Sequence, residues 1–204
     1  MEKSDRTPDL CALILAGGKS SRMGRDKALL PLEGKPLLTR TCQIAQSCAN
    51  PVWVISPWPE RYREILPASC QLIQEVVTDS EDVTHGPLVG FAQGLTQVTA
   101  PWILLLACDL PQLQPEPFQQ WSQLLETLPE STLAFLPQHP KGWEPLCGFY
   151  RQRCLTSLQA FIAQGGRSFQ AWLSTQNVQP IPQVDLSLLL NCNTPQEWQQ
   201  MERS

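Results

Sequence analysis

A run of apolar residues from Leu10 to Leu15 stops abruptly at Ala16-Gly17-Gly18, and Lys19, Arg22, Arg25 and Lys27 follow within nine positions. The run has the length and composition of a buried strand. The glycines let backbone approach a ligand with no side chain in the way. Backbone amides gathered with cations after a strand make a receptacle for phosphate. Two familiar phosphate loops are excluded by spacing. A Walker loop needs a glycine where this chain has Leu13, and a G-x-G-x-x-G fingerprint does not accommodate Gly17, Gly18 and Gly24.

The formal charge of −4 over 204 residues argues against a nucleic-acid surface, which selects for basic faces. The cationic cluster is therefore a local feature of an acidic protein, and it suits a small polyphosphate better than a long polyanion. A hydrophobic content of 42% fits an ordinary globular chain. The length suits one domain, residues 1–204, with 1–9 as a flexible N-terminal segment. No apolar run is long enough to span a membrane. The eight cysteines include no C-x-x-C pair, and His85 and His139 lie far from any close cysteine pair, which disfavours zinc. With a polar N-terminus and no export segment, the expectation is reduced, buried thiols in a cytoplasmic protein.

Along the chain, apolar and polar segments alternate as strands and helices. A helix is expected from Lys35-Pro36 to about Ala49, with Pro36 in its first turn. Strands are expected at Val52–Ile55 and Gln71–Gln74, with a short helix at Glu60–Leu66 between them. A polar stretch from Glu75 to His85 leads to Gly86-Pro87-Leu88 and a helix through Leu95. Trp102–Ala107 is the most apolar strand, central by expectation, and it runs into Asp109. A carboxylate at the end of such a strand sits where open α/β sheets bind ligands. It is a candidate Mg²⁺ ligand, or else a helix cap.

Further on, the pattern predicts a helix over Pro115–Leu128, strands at Thr132–Leu136 and Glu144–Tyr150, and a polar connection between those strands. Helices at Arg151–Ala163 and Phe169–Leu173, an extended segment around Val178 and Ile181, and a closing helix from Pro195 complete the expectation. This order implies a mostly parallel sheet covered on both faces.

The pattern from Leu15 to Lys27, L-x-G-G-x-x-x-R-M-G-x-D-K, resembles the signature of nucleotide-sugar pyrophosphorylases and related enzymes that transfer a nucleoside monophosphate from a nucleoside triphosphate. The alternative is a glycine-rich turn whose cations are solvated. Four further segments extend the likeness over nearly the whole chain: Asp79 with Gly86-Pro87-Leu88, Cys108-Asp109-Leu110-Pro111, Glu144-Pro145-Leu146, and Asn191-Cys192-Asn193-Thr194-Pro195. The full set resembles the molybdenum cofactor guanylyltransferases. The resemblance implies a single Rossmann-like α/β/α domain of the nucleotide-diphospho-sugar transferase type.

It also implies transfer of GMP from Mg²⁺-bound GTP to molybdopterin with release of pyrophosphate. Arg22, Lys27 and Asp109 would be catalytic, and Asp109 would hold the metal. Leu15, Ala16, Gly17, Gly18, Lys27, Asp79, Gly86, Pro87, Leu88 and Asp109 would surround the nucleotide, with amides of Ala16 to Gly18 on the phosphates. Relatives often carry an asparagine after the second strand, where this chain offers Ser56. Asn191 and Asn193 would face molybdopterin, and Asp79 the base or ribose. All three serve equally well as turn or cap residues.

The Leu-Ala-Gly-Gly loop, Leu15 to Gly18, resembles that of guanylyl-transferring relatives, whereas cytidylyl-transferring ones resemble Leu-Ala-Ala-Gly; Gly17 lacks a methyl that would crowd a larger base, so a purine is physically reasonable. A cytidylyl- or sugar-nucleotide transferase and a non-catalytic nucleotide or molybdopterin carrier are the alternatives. Transient contact with proteins that deliver molybdopterin or receive the product is a further expectation.

Overall fold

The computed structural model describes residues 9–17, 26–77, 86–190 and Trp198. Strand β1 (Leu10–Leu15) is followed by a 3-10 turn at Lys27–Leu29 and a small hairpin of β2 (Pro31–Leu32) and β3 (Lys35–Pro36). Next come α1 (Leu37–Gln46), β4 (Val52–Ser56), β5 (Cys70–Gln74), α2 (Pro87–Leu95), β6 (Trp102–Ala107) and α3 (Pro115–Gln123). The second half contains β7 (Ala134–Leu136), a hairpin of β8 (Gln138–His139) and β9 (Gly142–Trp143), and β10 (Cys147–Arg151). Helices α4 (Cys154–Ala163) and α5 (Phe169–Leu173) and strand β11 (Val178–Pro180) follow.

Seven strands form one sheet in the order β11-β7-β10-β6-β1-β4-β5. Neighbours are parallel except β10, which runs antiparallel to both β6 and β7. The expected strand opposite Thr132–Leu136 is thus present, but it wedges between that strand and β6. β6 is the fourth of seven strands and every residue in it is buried, as its uninterrupted apolar run requires.

Alternation along the central strands sorts side chains to two faces. Leu10, Ala12 and Ile14 of β1, with Trp102, Leu104 and Leu106 of β6, pack against Leu38 and Cys42 of α1 and Phe118 and Trp121 of α3. Cys11, Leu13, Ile103 and Leu105 face Leu88 and Phe91 of α2, Leu158 of α4 and Trp172 of α5. Each fully buried leucine here contributes about 1.5–3 kcal/mol relative to exposure. The result is three layers, helix over sheet over helix.

Several boundaries differ from expectation. Lys35-Pro36 does not open α1; it closes the hairpin, whose turn residues Glu33 and Gly34 both have positive φ (51° and 78°), and Pro36 is the N-cap. The helix expected at Glu60–Leu66 is only a 3-10 turn, Pro59–Arg61, because bonds such as Tyr62 N–H to Pro59 O and Ile65 N–H to Tyr62 O span three residues and prolines bracket the segment. α3 ends at Gln123, with a 3-10 turn at Leu125–Thr127, and α4 starts at Cys154 because β10 extends through Arg151. Ser168 caps α5 by accepting from the Ala171 N–H.

Of the expected closing helix only Trp198 is described; it is helical and buried against Leu30, Leu32 and Leu37. The seven described cysteines are free thiols, and burial pushes those of Cys11 and Cys48 up to about 11. Among the described residues no helix is long and apolar enough to cross a membrane.

Candidate nucleotide site

The carboxyl ends of β6, β1, β4 and β5 open on a cavity of about 330 Å³, the place where a parallel sheet of this kind receives ligands. Its two ends are chemically unlike. Cys108 and Asp109 follow the central β6, with Lys27 beside Asp109 and Asp26 next to Lys27 in the chain; Ile55 and Glu75 lie at the ends of β4 and β5 toward the sheet edge, with Gly17 against Pro57 and Gly90 of α2 beside Glu75.

At the charged end, Lys27 starts the 3-10 turn that Asp26 caps. Asp26 Oδ1 accepts from the Ala28 N–H at 3.1 Å and Oδ2 accepts from the Tyr62 hydroxyl at 2.7 Å, so both carboxylate oxygens are engaged within the protein. Tyr62 is fully buried, and its burial, followed by the Asp26 bond, pushes the phenol far above its ordinary range. Asp26 therefore serves to seat Lys27.

Lys27 Nζ lies 3.9 Å from Asp109 Oδ2, with the side chains 15% and 33% exposed. A long, partly solvated pair of this kind adds at most about 1 kcal/mol to stability. Burial raises the pKa of Asp109 above the ordinary aspartate value, while Lys27 and a backbone hydrogen bond pull it back only in part. The neighbouring Cys108 thiol is pushed up to about 12 by burial and by Asp109 and Asp26. It stays protonated at neutral pH and is a poor nucleophile.

Asp109 is in a turn, and the next helix begins at Pro115 with Gln114 as its N-cap, so Asp109 is not a helix cap. Among the described residues no group of three His, Cys, Asp or Glu side chains could hold a metal unaided. A cavity-lining carboxylate with exposed surface nonetheless suits Mg²⁺, which commonly takes one or two carboxylates and completes its shell with phosphate oxygens and water.

At the other end, Gly17 has φ +133°, and a Cβ there would stand 2.6 Å from Pro57 Cδ and 3.2 Å from Ser56 Oγ. The methyl excluded at Gly17 is thus excluded by the protein's own β4 turn. The proposed crowding of a purine is not needed to explain it. Gly86, with φ +85°, turns the chain into α2.

The structure brings Leu15, Ala16, Gly17, Lys27, Gly86, Pro87 and Asp109 to this one cavity. Three expectations need correction. The Ala16 N–H is committed to Ile55 O at 3.0 Å, so it is no phosphate donor. Ser56 is fully buried, does not line the cavity, and accepts from the Trp58 N–H at 3.0 Å. Leu88 lies wholly in the core, on the sheet-facing side of α2. Gly18, Arg22, Asp79, Asn191 and Asn193 lie outside the described residues.

Sequence reasoning passed over Tyr62 and Glu75. Nothing in the polar context of Tyr62 marks it, since its partner is 36 residues away. Glu75 follows β5 directly, so the strand-end rule that singled out Asp109 would have found it.

Comparison with known proteins gives concordant results. The family model described as the MobA-like NTP transferase domain matches residues 12–178. A protein of Nostoc sp. named "probable molybdenum cofactor guanylyltransferase" is 52% identical over 93% of this chain and 88% of its own length. A molybdenum cofactor guanylyltransferase of Pseudomonas putida is 32% identical over 94% of this chain and 97% of its own. Among solved structures, molybdopterin-guanine dinucleotide biosynthesis protein A of Archaeoglobus fulgidus superposes with a TM-score of 0.74 at 21% identity, covering 94% of this chain and 96% of that one. At that identity the likeness is one of fold.

Proposed function

The chain belongs to the MobA-like NTP transferase family, and on that premise we propose that it is a molybdenum cofactor guanylyltransferase joining GMP from GTP to molybdopterin. The observation that carries the catalytic part is the approach of Lys27 to Asp109, 82 residues apart in sequence, at 3.9 Å in one cavity. A cation and a carboxylate at that spacing match what a triphosphate and its metal require.

On this reading the reaction is a single in-line displacement. A phosphate oxygen of molybdopterin attacks the α-phosphorus of GTP in line, a new P–O bond forms, the bond from Pα to the bridging oxygen breaks, and pyrophosphate leaves with that electron pair. The attacking phosphate is already ionised, so no strong general base is needed, consistent with a cavity whose described lining contains no histidine. Catalysis reduces to positioning and charge neutralisation. Lys27 neutralises charge building on the leaving pyrophosphate, held in place by the Asp26 cap and the Tyr62 hydroxyl behind it. Asp109 would hold Mg²⁺, which supplies Lewis-acid polarisation of the phosphates when bound. Arg22 is assigned to the phosphates, Asp79 to the ribose or base, and Asn191 and Asn193 to molybdopterin, on the strength of the sequence pattern.

Free thiols at all seven described cysteines fit a reducing, cytoplasmic setting. Contact with molybdopterin-delivering and product-receiving proteins belongs to the same reading. The test is transfer onto molybdopterin with GTP, CTP, ATP and UTP in parallel, followed by the mass of the product. A guanine dinucleotide with stoichiometric pyrophosphate is expected. Transfer of CMP alone, or nucleotide binding without pyrophosphate release, would replace the reading.

A further inference from the structure

Behind the cavity wall on the β4–β5 side, one side chain fastens together two separate parts of that wall. Gly86, Pro87 and Gly90 line the cavity from the start of α2, and Glu75 lines it from the chain leaving β5. Gln93 of α2 does not line the cavity. Its Oε1 accepts from the Val76 N–H at 2.7 Å, and its Nε2 donates to Val76 O at 2.9 Å. One side-chain amide thus pairs both main-chain groups of the residue after Glu75, as a neighbouring strand would.

The helix period explains how Gln93 reaches it. Gly90 and Gln93 are three residues apart and share a face of α2, while Leu88, Phe91 and Leu95 pack into the core. Gly90 lies beside Glu75, and Gln93, one turn further on, meets Val76. On its other side the same chain is tied to β4. The Glu75 N–H donates to Ser56 O at 2.8 Å, and Gln74 Nε2 donates to Pro57 O at 2.9 Å. Pro57 in turn stands against Gly17. Contacts therefore run from the glycine turn after β1, through the β4 turn and the end of β5, to α2. Gln93 is the last link. β5 is the edge strand, so among the described residues no further strand holds the departing chain from outside.

On the guanylyltransferase reading the phosphates lie at Lys27 and Asp109 and the nucleoside lies toward β4 and β5. Resting on that reading, we infer that Gln93 is a positioning residue for the nucleotide, holding the end of β5 and α2 at one spacing. It touches no substrate. Walls already in place reduce the ordering that a ligand must impose when it binds. Without the clamp, only the fraction of molecules with both walls in position is ready for GTP, and apparent affinity falls by that fraction. Displacement at the α-phosphorus takes place beside Asp109, away from the clamp, and is left as it was.

The test compares wild type with Gln93→Met, which keeps the length and loses both bonds, and Gln93→Asn, whose amide is one methylene too short. Hydrogen exchange at the Val76 amide reports the clamp itself. GMP transfer to molybdopterin gives KM for GTP and kcat, and calorimetry gives the affinity for pyrophosphate. Both variants should exchange the Val76 amide faster and raise KM for GTP by about 3- to 10-fold, the effect of one or two partly solvated hydrogen bonds. Loss of binding alone leaves kcat at saturating GTP within about twofold of wild type, and pyrophosphate affinity likewise. A merely structural loss would lower the melting temperature and leave KM where it was. Unchanged exchange at Val76, faster exchange with unchanged KM, or failure of both variants to fold would each overturn the assignment. Wild type that transfers GMP beside variants of equal KM sinks Gln93 alone. Wild type that neither binds GTP nor transfers GMP sinks the guanylyltransferase reading, and this role with it.

Discussion

The two ends of the cavity are built on opposite principles. At the Lys27–Asp109 end, the cavity wall is charged, and the position of Lys27 is set by other side chains: Asp26 caps the turn, and Tyr62 anchors Asp26. At the Gly17–Gly90 end, the geometry rests on what is missing at Gly17, where a methyl would strike Pro57. Charge at one end and empty space at the other respond differently to substitution. At the first, rate should change while the fold survives; at the second, the fold or the selectivity should change first.

The largest effects are expected at the charged end. Lys27→Ala should cut GMP transfer by about 10²–10³-fold, the range for removing one donor that stabilises developing charge, with the melting temperature nearly unchanged. A rate within threefold of wild type would dissolve the contrast. Asp109→Asn should abolish Mg²⁺-dependent turnover without lowering stability, because the pKa of Asp109 is raised and its ionised form is therefore disfavoured by folding. Full activity at unchanged Mg²⁺, or a marked fall in melting temperature, would contradict that account.

Gly17→Ala tests the empty end. The backbone there is in a region L-residues avoid and the added carbon meets Pro57, so a loss of about 2 kcal/mol or more is expected in denaturant titration. A stable Gly17→Ala protein that accepted CTP would restore the view that this glycine reads base size. Tyr62→Phe, behind the charged end, removes a single hydrogen bond at 2.7 Å and should cost about 1 kcal/mol of stability with a several-fold fall in kcat and little change in KM for GTP. A larger effect on KM than on kcat would mean that Tyr62 shapes binding instead.

The smallest and sharpest test is pH. The raised pKa of Asp109 means that its contribution to folding is fully present when it is protonated and is lost as pH rises through its folded pKa. On the proposed role of Asp109, metal binding and turnover run the other way, since it is the carboxylate that would hold Mg²⁺. At limiting Mg²⁺, where the metal does not itself hold the carboxylate ionised, the acid limb of the rate profile should therefore fall at a pH above the ~3.9 of an ordinary aspartate. A limb at or below that value would remove burial as the dominant influence on Asp109.

Legibility in the sequence follows the same division. The strand at Leu10–Leu15, the glycine turn, Lys27, Gly86-Pro87 and Asp109 were all readable, because each is local: an apolar run, a break, and a charge at the break. The wedge of β10 between β6 and β7 was only half readable, since the residues Cys147–Arg151 announce a strand but not its neighbours. Ser56 and Leu88 were misplaced because facing the ligand or facing the core is a matter of one rotation about the chain, settled by packing.

The sequence by itself determined that a buried strand runs into a glycine turn rich in cations and that a second buried strand runs into a lone aspartate, for these are patterns of neighbouring residues. Only the tertiary structure decided that those two strands lie side by side, that the Ala16 amide is spent on the sheet, and that Pro57 rather than a ligand forbids a methyl at Gly17. The physical reason is range. Strand and turn tendencies act over a few residues. Sheet order, steric exclusion and the pairing of Lys27 with Asp109 are contacts between distant segments, which exist only once the core has closed.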